Sequence, residues 1–226
     1  MSQLTECVTK YFACDMCQFK MTVSVDAQEQ IILVDETDQQ IGIGGKLETH
    51  RLGLLHRAFS IFVFDEYDRV LIQKRAKEKY HSGGLWANTC CGHPRPGETV
   101  RDAAHRRLHE ELGFQTDLSF GFISRYKADL DHGMTENELV HVFAGKSINA
   151  PIPEPTEVED VTYADLEALQ SGSGGIRQNQ QTVWLRHYLD NHFEQLLRLK
   201  RICNLATVSD FSSASRSQIR EKILGS

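Results

Sequence analysis

Four neighbouring residues, Cys90, Cys91, Gly92 and His93, set a thiol that can give or take a proton beside an imidazole that can ligate a metal. The segment that follows, GHPRPGETVRDAAHRRLHEELGF from Gly92 to Phe114, carries Glu98 and the adjacent pair Glu110 and Glu111. Hard carboxylate oxygens suit Mg2+, which keeps several waters and bridges to phosphate oxygens. Two carboxylates on a helix are more often only a solvated face. The glycines, Glu98 and the closing Gly113, at their long fixed spacing, turn that preference toward a site for a diphosphate. Arg107 on the same segment, with Arg75 and Lys79 in QKRAKEK, offers the positive charge such a ligand needs, Arg as a planar fork and Lys as a point charge. A solvated loop is the competing explanation for Arg75 and Lys79.

A second set of donors is scattered. His50 and His56 precede an apolar run, and Glu136 and Glu138 alternate, so a period of two puts both carboxylates on one face of a strand. Together with His93 they could form an octahedral site, where imidazole would favour Mn, Fe or Zn over Mg. Taken singly, each of these histidines is more often structural.

These residues need elements to hold them. Gln30 to Asp35 and IGIGGK after it predict two strands joined by a turn; Arg57 to Phe64 and Val70 to Gln73 predict a hairpin across the polar DEYDR. Thr99 and Asp102 form a capping pattern, and Val100, Ala103, Ala104, Leu108 and Leu112 fall at helical spacing before Gly113. That helix should pack its apolar stripe on the sheet, leaving Arg106, Arg107, Glu110 and Glu111 on or near the rim. Ser119 to Asp129 and Leu139 to Gly145 predict further strands, and 163–170 and 180–200 further helices. SGSGG at 171–175 predicts a flexible loop. Mixed strands and helices around one central helix imply an α/β sandwich.

The 226 residues suffice for one full core with extensions, and a net charge of −6 argues against a general nucleic-acid binder. No apolar stretch approaches the ~18–20 residues of a membrane span, and the first residues lack a signal-peptide pattern, so a soluble, cytoplasmic protein is expected. Six cysteines are too few for a disulfide scaffold. Cys7, Cys14 and Cys17 lack a fourth ligand nearby, and ordinary thiols are the default there.

From Gly92 the chain fits the box G-x5-E-x7-R-E-apolar-x-E-E-x-G everywhere except at the Glu that follows the Arg, where it has Arg107. A box so altered can hold metal and phosphate but is poorly built to activate water. LLHRAFS at 54–60, GGLWANTCCGHP at 83–94, this box and ENE at 136–138 together resemble the type I isopentenyl-diphosphate isomerases, a family with the Nudix fold. The resemblance spans residues 30 to 190 or so and implies a Nudix-type α/β/α sandwich with a mixed central sheet over 29–200, an N-terminal extension over 1–28 and a C-terminal tail over 201–226. In that family the Arg is expected, because the reaction is not hydrolysis.

The resemblance further implies residue roles. Cys91, rather than Cys90, and Glu138, assisted by Tyr126, would be the acid/base groups beside the isoprenoid end. His50, His56, His93, Glu136 and Glu138 would ligate a divalent metal, Mn2+ or Zn2+. Glu111 would hold Mg2+ at the diphosphate, and Lys46, Arg75, Lys79 and Arg107 would bind the anion. Trp184 is the nearest match to the family's cation-facing Trp, although its QQTVW context departs from the usual Pro-Trp; Trp86 is the alternative. The expected partner is a small isoprenoid diphosphate, with no nucleic acid, and the protein itself a monomer or weak oligomer. Two rivals remain: a Nudix hydrolase, weakened by Arg107, and a non-catalytic diphosphate-binding protein, which would have no reason to keep the Cys, paired Glu and Tyr.

Overall fold

A computed structural model of the chain describes residues 29–203. The extension over 1–28 with Cys7, Cys14 and Cys17, and residues 204–226 of the tail, lie outside the described residues. The centre of the fold is β3 (His56–Phe64). Its near-continuous apolar sequence is that of a strand covered on both sides. Ala58, Phe62 and Phe64 join one buried cluster, and Phe59, Ile61 and Val63 join another on the opposite face.

Around β3 the sheet is mixed. β8 (Thr135–Lys146) runs parallel to it over its whole length, from His56 opposite Glu138 to Phe64 opposite Lys146, and β7 (Ser119–Asp129) pairs antiparallel with β8. β1 (Gln30–Val34) links β3 to β2 (Gln40–Gly45). β4 (Val70–Arg75) follows β3 through a turn in which the Asp65 carboxylate accepts from the backbone N–H of Tyr67 and Arg69, and it pairs in turn with β5 (Trp86–Ala87) and β9 (Val158–Ala164). β6 (Cys90–Gly92) lies antiparallel to β3.

Helices cover both faces. α1 (Lys46–Leu52) lies on the way from β2 to β3. α2 (Val100–Leu112) is the helix expected from the capping pattern: the Thr99 hydroxyl accepts from Asp102 N–H, and Gly113, at φ 71°, ends it. Its Ala103, Ala104, Leu108 and Leu112 pack on Phe59, Ile61 and Val63. On the other face α3 (Leu166–Ser171), α4 (Val183–Asn191) and a helical segment over 193–203 supply Leu166, Leu169, Leu185, Tyr188, Leu189, Leu196 and Leu199. The result is the expected layered α/β sandwich.

Three expectations are corrected. Tyr163 and Ala164 belong to β9, because Tyr163 pairs with Leu71 and packs into the α2-side cluster; the helix starts only at Leu166. The helix expected over 180–200 starts at Val183 and breaks at His192, whose φ of −129° is not helical and whose ring is held by the Ser124 hydroxyl at 2.9 Å. Glu111 is buried rather than placed on the rim. α1, β5 and β6 are too short to show a period.

Candidate active site

Period two on β6 separates the neighbouring cysteines. Cys90 is fully buried in the cluster beneath α2, while Cys91, opposite Ser60 in the sheet, turns to the other face and lines a cavity. The Cys91 thiol donates to Asn88 Oδ1 at 3.1 Å, and the Asn88 amide is held in that orientation by donating to the carbonyls of Ile61 and Cys90. Ser60 Oγ, which accepts from the Tyr188 hydroxyl at 3.0 Å, lies 3.3 Å from Cys91 Sγ and keeps its own hydrogen for the sulfur. Burial pushes the Cys91 pKa up to about 12, against the lowering effect of the Ser60 and Asn88 contacts. Cys91 is a protonated thiol at neutral pH.

Strand register builds the opposite wall. Glu138 stands opposite His56 on β3 and opposite Tyr126 on β7. The Tyr126 hydroxyl donates to Glu138 Oε2 at 2.8 Å, and His93 and His56 approach Oε1 at 3.0 and 3.5 Å. Burial would raise the Glu138 pKa, but the contacts from His56 and His93 outweigh it and hold the carboxyl well below its usual range. Burial and the neighbouring Glu138 push Glu136 the other way. Tyr126, buried beside Glu138, is held in its neutral form.

Glu136 Oε2 lies 3.3 Å from His50 Nε2 and 4.0 Å from His56 Nε2. His50 Nδ1 is spent on the Lys46 carbonyl and His56 Nδ1 on that of Leu54, so each ring turns its Nε2 inward. Among the described residues, these two nitrogens, Glu136 Oε2 and His93 Nδ1 are buried atoms without a hydrogen-bond partner. Unsatisfied imidazole and carboxylate donors around two close acidic groups are what a divalent cation would satisfy.

The same cavity also carries cations. Lys79 Nζ and Arg107 Nη2 share Glu157 Oε2 at 3.0 and 3.1 Å, and Lys46 Nζ holds Glu29 at 2.8 Å. Glu111 is turned inward by Gln73 Nε2 at 2.8 Å and by Arg107. Burial costs Arg107 charge stabilisation, but Glu111 and Glu157 more than restore it and raise its pKa. The Arg75 guanidinium stacks over Trp184 at 5.2 Å.

Cys91, His93, Tyr126, Glu136, Glu138, Glu111, Lys46, Arg75, Lys79, Arg107 and Trp184 all line this one cavity, and His50 and His56 reach Glu136 and Glu138 from behind. Trp86 packs instead against the apolar cluster. The sequence had not pointed to Glu29, Ser60, His81, Asn88, Glu157 or Tyr188. Ser60 and Asn88 lie within LLHRAFS and GGLWANTCCGHP but carried no role there, and the sheet pairing and loop path bring in the rest.

Residues 54–185, more than half of the chain, match the model of the NUDIX domain family. The chain is 49% identical over 165 residues to isopentenyl-diphosphate Delta-isomerase 1 of Aromatoleum aromaticum, covering 72% of this chain and 92% of that protein. It is 45% identical over 162 residues to isopentenyl-diphosphate Delta-isomerase 2 of Photorhabdus laumondii, covering 72% and 91%. Among solved structures, DR0079 from Deinococcus radiodurans superposes with a TM-score of 0.59 at 17% identity, covering 71% of this chain and 97% of that one, a likeness of fold alone.

Proposed function

Because the chain belongs to the isopentenyl-diphosphate Delta-isomerase family, it interconverts isopentenyl and dimethylallyl diphosphate, and we propose that Cys91 and Glu138 move the protons. The observation that carries this assignment is a single cavity faced by a protonated thiol and an ionised carboxylate. Moving the double bond needs a proton delivered to the terminal alkene carbon and another removed from the carbon next to the diphosphate-bearing one, with a tertiary cation between. Cys91 carries the proton to be given, and Glu138, steadied by Tyr126, carries the lone pair that receives; the reverse reaction exchanges the roles.

Trp184, Tyr126 and Tyr188 are buried aromatics around the reacting end and exclude the water that would capture the cation. A desolvated indole face contributes about 2 kcal/mol or more to a cation. Lys46, Arg75, Lys79 and Arg107 hold the diphosphate, with Glu111 as the carboxylate for Mg2+. His50, His56, His93, Glu136 and Glu138 hold a second divalent metal, Mn2+ or Zn2+, which would supply charge to balance the paired carboxylates. Incubation with isopentenyl diphosphate and Mg2+ should give dimethylallyl diphosphate and no inorganic phosphate; phosphate release without the allylic product would make the protein a hydrolase.

Arg107 offers a test of the anion contacts. Arg107→Glu removes the cation that touches Glu110, Glu111 and Glu157 and adds a fourth acid beside them. Hydrogen bonds to charged groups are each worth about 1.5–3 kcal/mol. The variant should therefore show KM for the diphosphate raised by about tenfold or more, as steady-state kinetics on the allylic product would record.

A further inference from the structure

His81 is a buried histidine in the cavity wall for which the proton transfers and the anion contacts leave no task. It is only 3% exposed. The loop between β4 and β5 is forced into the shape that delivers it. Ser82 takes a left-handed φ of 53°, and a Cβ on Gly83 would lie 2.4 Å from the Lys77 carbonyl oxygen. Ser82 N–H donates to the Asp131 carboxylate at 3.1 Å, and Arg75 Nη2 donates to the His81 carbonyl at 3.3 Å. A loop held at this many points is shaped for the side chain at its apex.

The ring meets two functional groups. Its Nδ1 lies 3.2 Å from Ser82 Oγ, and its Nε2 faces Glu136 Oε1 at 3.5 Å. Its edge abuts the Trp184 indole, with centroids 5.8 Å apart and planes at 89°. Glu136 thus turns Oε2 toward His50 and Oε1 toward His81. The donor atoms of His50, His81 and Glu136 lie within 4.8 Å of one another, as do those of His50, His56, His93 and Glu138. His50 has one nitrogen left after binding the Lys46 carbonyl, so the two groups share it and form one centre.

We propose that His81 is a positioning residue for Glu136. With Ser82 donating to Nδ1, the Nε2–H is directed at Glu136 Oε1, which leaves Oε2 alone to meet the metal. The same imidazole lies against the Trp184 indole. Carboxylate ligands fixed in this way commonly owe a factor of about 10 to 100 in metal affinity to the residue behind them. The proposal rests on reading His50, His56, His93, Glu136 and Glu138 as a metal centre.

The test is Mn2+ binding to metal-depleted full-length protein, followed by electron paramagnetic resonance. His81→Phe keeps a ring against Trp184 but no donor, and His81→Gln keeps an N–H near the Nε2 position. His81→Phe should bind Mn2+ about 10- to 100-fold more weakly, His81→Gln should recover most of that loss, and pulsed measurements should find the same imidazole nitrogens on the ion in all three proteins. Unchanged affinity in His81→Phe overturns the proposal. Loss of one ligating imidazole in both variants also overturns it and makes His81 a ligand. If His81→Phe does not fold, His81→Leu takes its place with the same expected loss. Wild-type protein that turns over but binds no Mn2+ defeats the metal centre itself, an outcome visible before any variant is compared.

Discussion

Glu138→Gln should lower isomerase turnover by about 10²- to 10⁴-fold, the range for losing a positioned acid/base group. The substitution keeps the shape of the side chain and removes its charge. In the folded protein Tyr126, His93 and His56 all turn toward this carboxylate. An amide in its place sets an N–H2 against donors, so the loss falls on kcat, with KM for the diphosphate little changed because Lys46, Arg75, Lys79 and Arg107 are left in place. Steady-state kinetics checks the split; a rise in KM alone would mean that Glu138 binds rather than transfers.

Cys91→Ser and Cys90→Ala should give opposite results. Cys91→Ser keeps a small hydrogen-bonding group between Ser60 and Asn88, yet the alcohol is a far weaker acid than the thiol, and turnover should again fall by about 10²- to 10⁴-fold. Cys90→Ala removes a sulfur from the fully buried cluster under α2 and should cost about 0.5–3 kcal/mol of stability with turnover retained. Kinetics and thermal unfolding of both variants test the pair together. Equal loss of turnover in both would mean that the face of β6 does not decide which cysteine acts.

Much of this was legible in the sequence wherever a period or a cap declared itself. Thr99, Asp102 and Gly113 bound α2, and the alternation of Glu136 and Glu138 is realised on β8, whose first residue is Thr135. The choice between Cys90 and Cys91 was carried by resemblance, and the structure supplies a physical ground in the pairing of β6 with β3. Other features had no local signal. Glu111 is turned inward by Gln73, 38 residues away in sequence. Tyr163 is drawn into a strand by Leu71. His81 follows a run of polar and charged residues that reads as a surface loop, and only the close approach of Gly83 to Lys77 and the bond from Ser82 to Asp131 drive it inside. Contacts between distant segments are the part that spacing cannot encode.

The use of two different groups for protonation and deprotonation can be measured directly by running the reaction in D2O and following the product by NMR. With Cys91 and Glu138 acting separately, dimethylallyl diphosphate should carry solvent deuterium in the methyl group formed from the terminal alkene carbon. Full turnover to unlabelled product would mean that one group carries the same proton across the substrate, and would contradict the assignment.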